Sequence, residues 1–172
     1  MNSIIEKLGS YQIMTNLLPG AFFGLGIKFF LGLNLPTENI GEDIIIFYFI
    51  GFIINRIGSL VVESVFKKIR FVKYVPYLDF AKAVKSDSKI DTLSEMNSYI
   101  RSLLTCVLLF PVVWILYVLS LRWIWFSVNW KWCAIILLFV LFLFSYRKQT
   151  CYVCKSVEAV NSQNAENKGN KS

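Results

Sequence analysis

Four stretches of apolar residues, separated by polar segments, set the pattern of this chain. They run from Leu17 to Leu33, Ile44 to Phe66, Leu103 to Leu121 and Trp132 to Tyr146. A helix needs about 20 apolar residues to cross the ~30 Å hydrocarbon core of a bilayer, and the aromatic belt of residues 123–130 extends the short last stretch. The pattern therefore predicts an all-α membrane protein with four transmembrane helices.

The polar segments complete the predicted organisation. Residues 1–16 form an interfacial segment, residues 17–66 a transmembrane hairpin of spans 1 and 2, and residues 103–146 a second one of spans 3 and 4. Residues 67–102, between spans 2 and 3, are expected to form a cytoplasmic helical hairpin. Residues 147–172 end in Asn-, Lys-, Ser- and Gln-rich sequence that cannot bury a core, so this basic tail is expected to be mostly disordered.

The hairpin of residues 67–102 has its own helix signals. Pro76 can begin a helix in which Tyr77, Phe80 and Val84 share one face. The run from Thr92 to Glu95 fits a capping box, which would begin the second arm. From there an apolar face leads directly into the third span. An amphipathic hairpin of this kind is typical of a packing surface for a partner.

The placement of positive charge predicts the orientation. Fourteen Lys and Arg residues lie in the N-terminal segment, the 67–102 block and the tail, whereas the other side has only Arg122 and Lys131 together with an acidic loop over residues 34–43. Positive residues stay on the cytoplasmic side of a membrane. We therefore expect a multi-pass membrane protein with both termini and the 67–102 block in the cytoplasm.

Composition narrows the possible functions. The chain of 172 residues is 56% hydrophobic, with a mean hydropathy of +0.56, too apolar for an ordinary soluble domain. The net charge of +7 could suggest nucleic acid, but the positive residues flank the apolar runs, which argues against that partner. There is no histidine, no phosphate-binding glycine loop and no catalytic set, so we expect no enzyme, no cofactor and no metal site. Cys151 and Cys154 form a lone Cys-x-x-Cys, interpreted as reduced thiols.

The second span carries the main candidate site. Asn55, Arg56, Ser59 and Glu63 interrupt its apolar pattern, and Arg56 and Glu63 are seven residues apart, which puts them on one face of an α-helix. Ionisable residues inside a span mark functional sites. The same residues can instead anchor the helix at the cytoplasmic headgroups, because arginine snorkels. Both interpretations, a polar seam and an anchor, stay open.

The first span carries a glycine face at Gly20, Gly24 and Gly32. Small residues four apart allow two helices to approach closely. We expect this face to pack against another helix, whose identity the sequence does not tell.

Short motifs add a resemblance over residues 11–105. The run from Leu17 to Gly20, and the run from Arg56 to Ser59 followed by Glu63, resemble a loose group of small uncharacterised bacterial membrane proteins. Several four-span proteins of similar layout, the membrane subunit of the Kiwa system among them, belong to anti-phage defence systems. The similarity to Kiwa is one of architecture, so no functional residues transfer. The resemblance implies a membrane-anchored sensor or effector of a bacterial inner membrane that works with a cytoplasmic partner.

Two functional hypotheses follow. The first is a non-enzymatic, homo-oligomeric scaffold or sensor in the lipid bilayer that docks a cytoplasmic protein on the 67–102 hairpin and the tail. The alternative is a small oligomeric pore lined by Asn55, Arg56, Ser59 and Glu63. A transporter is a weaker third interpretation, because the two halves show no paired interruption at the midplane.

Overall fold

The computed structural model describes residues 13–32, 39–73, 75–87, 89–122 and 124–169, and within them it leaves aside the side chains of 14, 31, 78, 85, 124–128, 159 and 161–169. Every regular element in these ranges is a helix, which confirms the all-α prediction. Most of the predicted interfacial segment 1–16, Glu38 of the acidic loop, and Trp123 with the following five side chains of the aromatic belt lie outside the described part.

Five helices follow one another along the chain. They are α1 (Leu18–Leu31, after a π-helical turn at Ile13–Leu17), α2 (Ile40–Lys68), α3 (Tyr77–Ser86), α4 (Lys89–Arg122) and α5 (Ile124–Gly169). Three stretches are long and apolar enough to cross a membrane: α2, α4 and the Asn129–Glu158 part of α5. Helix α1, in the first predicted span, has 14 residues and is about 21 Å long, and it is not among the three.

Local sequence explains how α1 ends and α2 begins. Gly32 ends α1 in a left-handed conformation at φ 68°, and its N–H donates to the Lys28 carbonyl at 3.0 Å. Asn39 then caps α2, its side-chain oxygen accepting from the Gly41 N–H at 3.0 Å. Glu42 and Asp43 fall in the first turn of α2, where the helix dipole favours negative charge.

The polar segment between spans 2 and 3 contains the two expected helical arms. Helix α3 begins at Tyr77, directly after Pro76, as predicted. The capping-box prediction is wrong: α4 begins at Lys89, so Thr92 lies inside it. The reason is an earlier cap, because the Asp87 carboxylate accepts from the Lys89 N–H at 2.9 Å. Helix α4 then continues without interruption into the apolar stretch of the third span.

The tail differs from the expectation of disorder. Helix α5 continues through Arg147 as far as Gly169. Contacts with α3 stabilise its first part, since the Tyr77 and Ser156 hydroxyls are 2.6 Å apart and the Tyr77 and Tyr152 rings lie 6.1 Å apart. The composition of the tail does not reveal this helix, because the surface on which it packs belongs to another helix, α3.

Helices α1, α2 and α4 build the core. Phe23 and Ile27 of α1, Ile54 of α2 and Cys106 of α4 are buried together. The ring of Phe110 stacks on Phe23 with centroids 5.3 Å apart. Helix α5 contacts α2, α3 and α4, but the most apolar 18-residue stretch of its Asn129–Glu158 part contains no buried residue. The bundle is thus three tightly packed helices with a fourth at its side.

Candidate functional site

A turn of π-helix interrupts α2 within the candidate site. It covers Gly58–Val62, and the Glu63 N–H donates to the Gly58 carbonyl, five residues back. A π-turn contains more residues than an α-turn, so it changes which side chains share a face. In a regular α-helix Arg56 and Glu63 would lie on one line. With the π-turn, Asn55, Ser59 and Glu63 line up instead.

The buried carboxylate of Glu63 lies at the centre of a cluster of charges. The side chain is only 5% exposed, yet three cations contact it. The Lys67 Nζ lies 2.7 Å from Oε1, while the Arg101 Nη1 lies 3.0 Å and the Lys148 Nζ 3.1 Å from Oε2. We call these four side chains the Glu63 cluster. It joins α2, α4 and α5, the three helices long enough to cross a membrane.

Neutral polar groups extend the Glu63 cluster along α2. The Lys148 amine also donates to the hydroxyl of Ser59 at 2.8 Å and to its backbone oxygen at 2.5 Å. The second guanidinium nitrogen of Arg101 donates to the Asn55 Oδ1 at 3.3 Å, and the Asn55 amide donates to the Asn16 Oδ1 at 3.3 Å. The network therefore reaches from the π-helical turn before α1 to α5.

Arg56 lies apart from this network. Its guanidinium is 4.9 Å from the ring centroid of Phe52 on the same helix, a cation–π arrangement. The Nε–H of Arg56 is buried and has no acceptor among the described residues. The expectation that Arg56 and Glu63 share a face is wrong, because residues seven apart line up only in an unbroken α-helix and a π-turn lies between these two.

The predicted glycine face has two kinds of members. Gly20 and Gly24 lie against Phe47 of α2, so α2 is the helix that faces them. Gly51 of α2 lies in turn against the backbone of Asn16. Gly32 instead ends α1 in a left-handed conformation, and a Cβ there would meet no described atom within 4 Å. The Gly-x-x-x-Gly pattern thus serves packing inside one chain.

Sequence reasoning missed Arg101 and Lys148. Arg101 was counted with the charges of the polar block, and Lys148 with those of the tail. A usable signal existed: each is a cation placed where its helix changes from polar to apolar sequence, at the same end of the bundle as Glu63. A comparison of how far each charged residue lies from the end of its apolar stretch would have placed Arg101 and Lys148 at the same level as Glu63.

The contacts of Glu63 limit what its carboxylate can do chemically. Both oxygens of Glu63 accept from cations, so the carboxylate is held as an anion and is poorly placed to take a proton from a substrate. The thiols of Cys151 and Cys154 are exposed and not in a disulfide. Among the described residues, no group of three or more His, Cys, Asp or Glu side chains could hold a metal ion. What the network can do is hold three helices in a fixed relation.

Comparisons of the chain with protein-family models, with curated proteins and with solved structures found no match. The fold itself defines the class of protein. Over the described residues the chain is helical, three of its helices are long and apolar enough to cross a membrane, and cations on all three bind the buried carboxylate of Glu63.

Proposed function

We propose that this protein is a non-enzymatic scaffold or sensor of a bacterial inner membrane that docks a cytoplasmic protein. In this proposal the chain crosses the bilayer four times, with α1 as the short first span and both termini in the cytoplasm. The distribution of Lys and Arg supports the orientation. The close glycine packing of α1 on α2 supports α1 as a membrane helix, because such contacts are typical of helices in lipid.

One observation carries the proposal: a continuous set of contacts joins the polar helix α3 to the Glu63 cluster. Tyr77 of α3 contacts Tyr152 of α5, and the Lys148 amine lies 5.8 Å from the centroid of the Tyr152 ring. Lys148 in turn binds Glu63. These contacts connect the polar end physically to groups that hold the membrane helices, and in this proposal a bound partner acts on the helices through them.

The docking surface is an exposed apolar stripe in the polar part of α4. Leu93, Met96 and Ile100 are 68%, 54% and 57% exposed, and their spacing of three and four puts them on one helix face. Such a face suits the groove of a protein partner. The apolar face of α3 is less available, because Tyr77 and Phe80 are half-buried in the fold.

The same contacts favour a scaffold over a pore. The pore hypothesis needs Asn55, Arg56, Ser59 and Glu63 to face one water-filled path. Within one chain, however, Asn55, Ser59 and Glu63 already bind Asn16, Arg101 and Lys148. Arg56 lies apart from them, against the Phe52 ring. Assembly of several copies remains part of the proposal, supported by the unburied apolar face of α5. The resemblance of the expected four-span layout to membrane subunits of anti-phage systems is the basis for proposing a role in bacterial antiviral defence.

Replacement of one stripe residue tests the docking surface. Met96→Glu places a charge in the stripe, whereas Asn97→Glu places the same charge on the exposed neighbouring face of the helix. Proteins cross-linked to each variant in its native membrane are quantified by mass spectrometry. We expect Met96→Glu to lose a defined partner that the wild type and Asn97→Glu both retain. Identical partner sets for all three proteins would contradict the proposal.

A further inference from the structure

The charges of the Glu63 cluster do not balance. Three cationic side chains converge on one carboxylate, so the four groups by themselves carry a formal charge of +2. Lys67 has a further interaction, but Arg101 and Lys148 with Glu63 alone already carry +1. Two of the cations, Arg101 and Lys148, share the same carboxylate oxygen. Like charges held this close together and partly removed from water are costly unless an anion compensates them.

The cluster is accessible from the bundle surface. The side chains of Lys67, Lys148 and Arg101 are 44%, 25% and 19% exposed, although Glu63 beneath them is buried. An anion can therefore approach the cations from outside without displacing the carboxylate.

The position of the cluster along each helix indicates the anion. Lys67 lies at the end of α2, Arg101 lies two residues before the apolar stretch of α4, and Lys148 lies two residues after that of α5. The three cations thus lie where apolar sequence ends, at the level of the headgroups of the leaflet that faces the polar end. Basic pockets between membrane helices on the cytoplasmic side are typical binding sites for anionic headgroups.

We infer that the Glu63 cluster binds the phosphate of an anionic phospholipid from the cytoplasmic leaflet. The phosphate lies over Lys67, Arg101 and Lys148, and Glu63 beneath them is a counter-ion that competes with it for the same cations. Lipid binding at this site stabilises the junction of α2, α4 and α5. The inference rests on the membrane location proposed above, but it does not depend on the docked partner.

A matched pair of neutral substitutions tests the site in full-length protein purified in neutral detergent. Native mass spectrometry measures binding of phosphatidylglycerol and of phosphatidylcholine with the same acyl chains. We expect the wild type to prefer phosphatidylglycerol, and Lys148→Gln to weaken that binding about fivefold, the usual worth of one cation near an anionic surface. Arg147→Gln removes the same charge from the exposed adjacent position and is expected to change binding less than about twofold.

Further variants test the same site and keep the test usable if Lys148→Gln does not fold. Should Lys148→Gln not fold, Lys67→Gln with its neighbour Lys68→Gln repeats the comparison at exposed positions of α2. Glu63→Gln raises the formal charge of the cluster to +3, so the part of this variant that remains folded should bind phosphatidylglycerol more tightly than the wild type does. A purely structural role of Glu63 predicts no such gain.

Three results would overturn the inference: equal binding of the two lipids, equal losses for both members of a matched pair, or weaker binding by Glu63→Gln. Displacement of the lipid by excess inorganic phosphate would instead assign the cluster to a soluble anion, which overturns the lipid source. The measurement contains no protein partner. Its failure is therefore distinguishable from failure of the docking surface, which the Met96→Glu comparison tests separately.

Discussion

At the scale of single residues, Glu63 is the group on which most contacts of the site depend. Its removal leaves three cations close together without their common counter-ion. We predict that Glu63→Gln lowers the free energy of unfolding by roughly 3 kcal/mol, the lower end of the usual cost of removing one partner of a buried ion pair. Thermal unfolding in detergent micelles measures the change.

The control for Glu63→Gln is Arg56→Gln, which removes a charge from the same helix without touching the Glu63 cluster. The Arg56→Gln variant should lose only about 0.5–2 kcal/mol, roughly the worth of a cation–π contact that is partly removed from water. A double-mutant cycle adds a second check: Lys148→Gln should cost less in the Glu63→Gln background than alone. Equal losses for Glu63→Gln and Arg56→Gln would show that the cluster does not hold the bundle together.

At the scale of elements, the crossing of α1 and α2 depends on the absence of side chains at two glycines. A Cβ at Gly51 would collide with the backbone oxygen of Asn16, and one at Gly20 with that of Phe47. Because backbone atoms cannot rotate away, a methyl group must separate the helices. We predict that Gly51→Ala lowers the free energy of unfolding by about 2–3 kcal/mol, the usual cost of overpacking.

Gly41→Ala is the matched control for this crossing, because Gly41 lies near the start of the same helix. The nearest atom to its added Cβ is the Asn39 Oδ1 at 3.4 Å. It should be neutral or slightly stabilising, since Ala favours the helix. Equal melting temperatures for the Gly51→Ala and Gly41→Ala proteins would contradict the close crossing.

At the scale of the whole molecule, the proposed orientation makes a prediction about the thiols of α5. Cys151 and Cys154 are exposed and should face the cytoplasm, whereas Cys106 is buried in the bundle. In intact spheroplasts a membrane-impermeant maleimide should therefore leave Cys151 and Cys154 unlabelled, and it should label them after permeabilisation. Cys106 should stay unlabelled in both states.

Asn39→Cys supplies the opposite control for orientation. Asn39 precedes α2 at the end proposed to face away from the cytoplasm and is exposed. In a variant whose other cysteines are replaced, it should react in intact spheroplasts. Labelling of Cys151 from outside, with Asn39→Cys protected, would reverse the orientation.

The sequence by itself determined the class of the molecule. Long apolar runs predicted membrane helices, because period and length are local properties that need no knowledge of neighbours. Pro76 and the residues after it likewise predicted where α3 begins. The local signals failed where a neighbour intervened: Asp87 capped α4 before the capping box could, and α3 gave the tail of α5 a surface to pack on.

Only the tertiary structure decided what the site is. The sequence singled out Asn55, Ser59 and Glu63, but it could not show that a π-turn moves Arg56 away from them. Nor could it show that Arg101 and Lys148, 38 and 85 residues further along the chain, meet at one carboxylate. The physical reason is that charge pairing depends on depth and rotation of separate helices, and packing contacts such as Gly51 on Asn16 set both. Because of this packing, the polar residues of α2 bind Arg101 of α4 and Lys148 of α5 and so connect three helices.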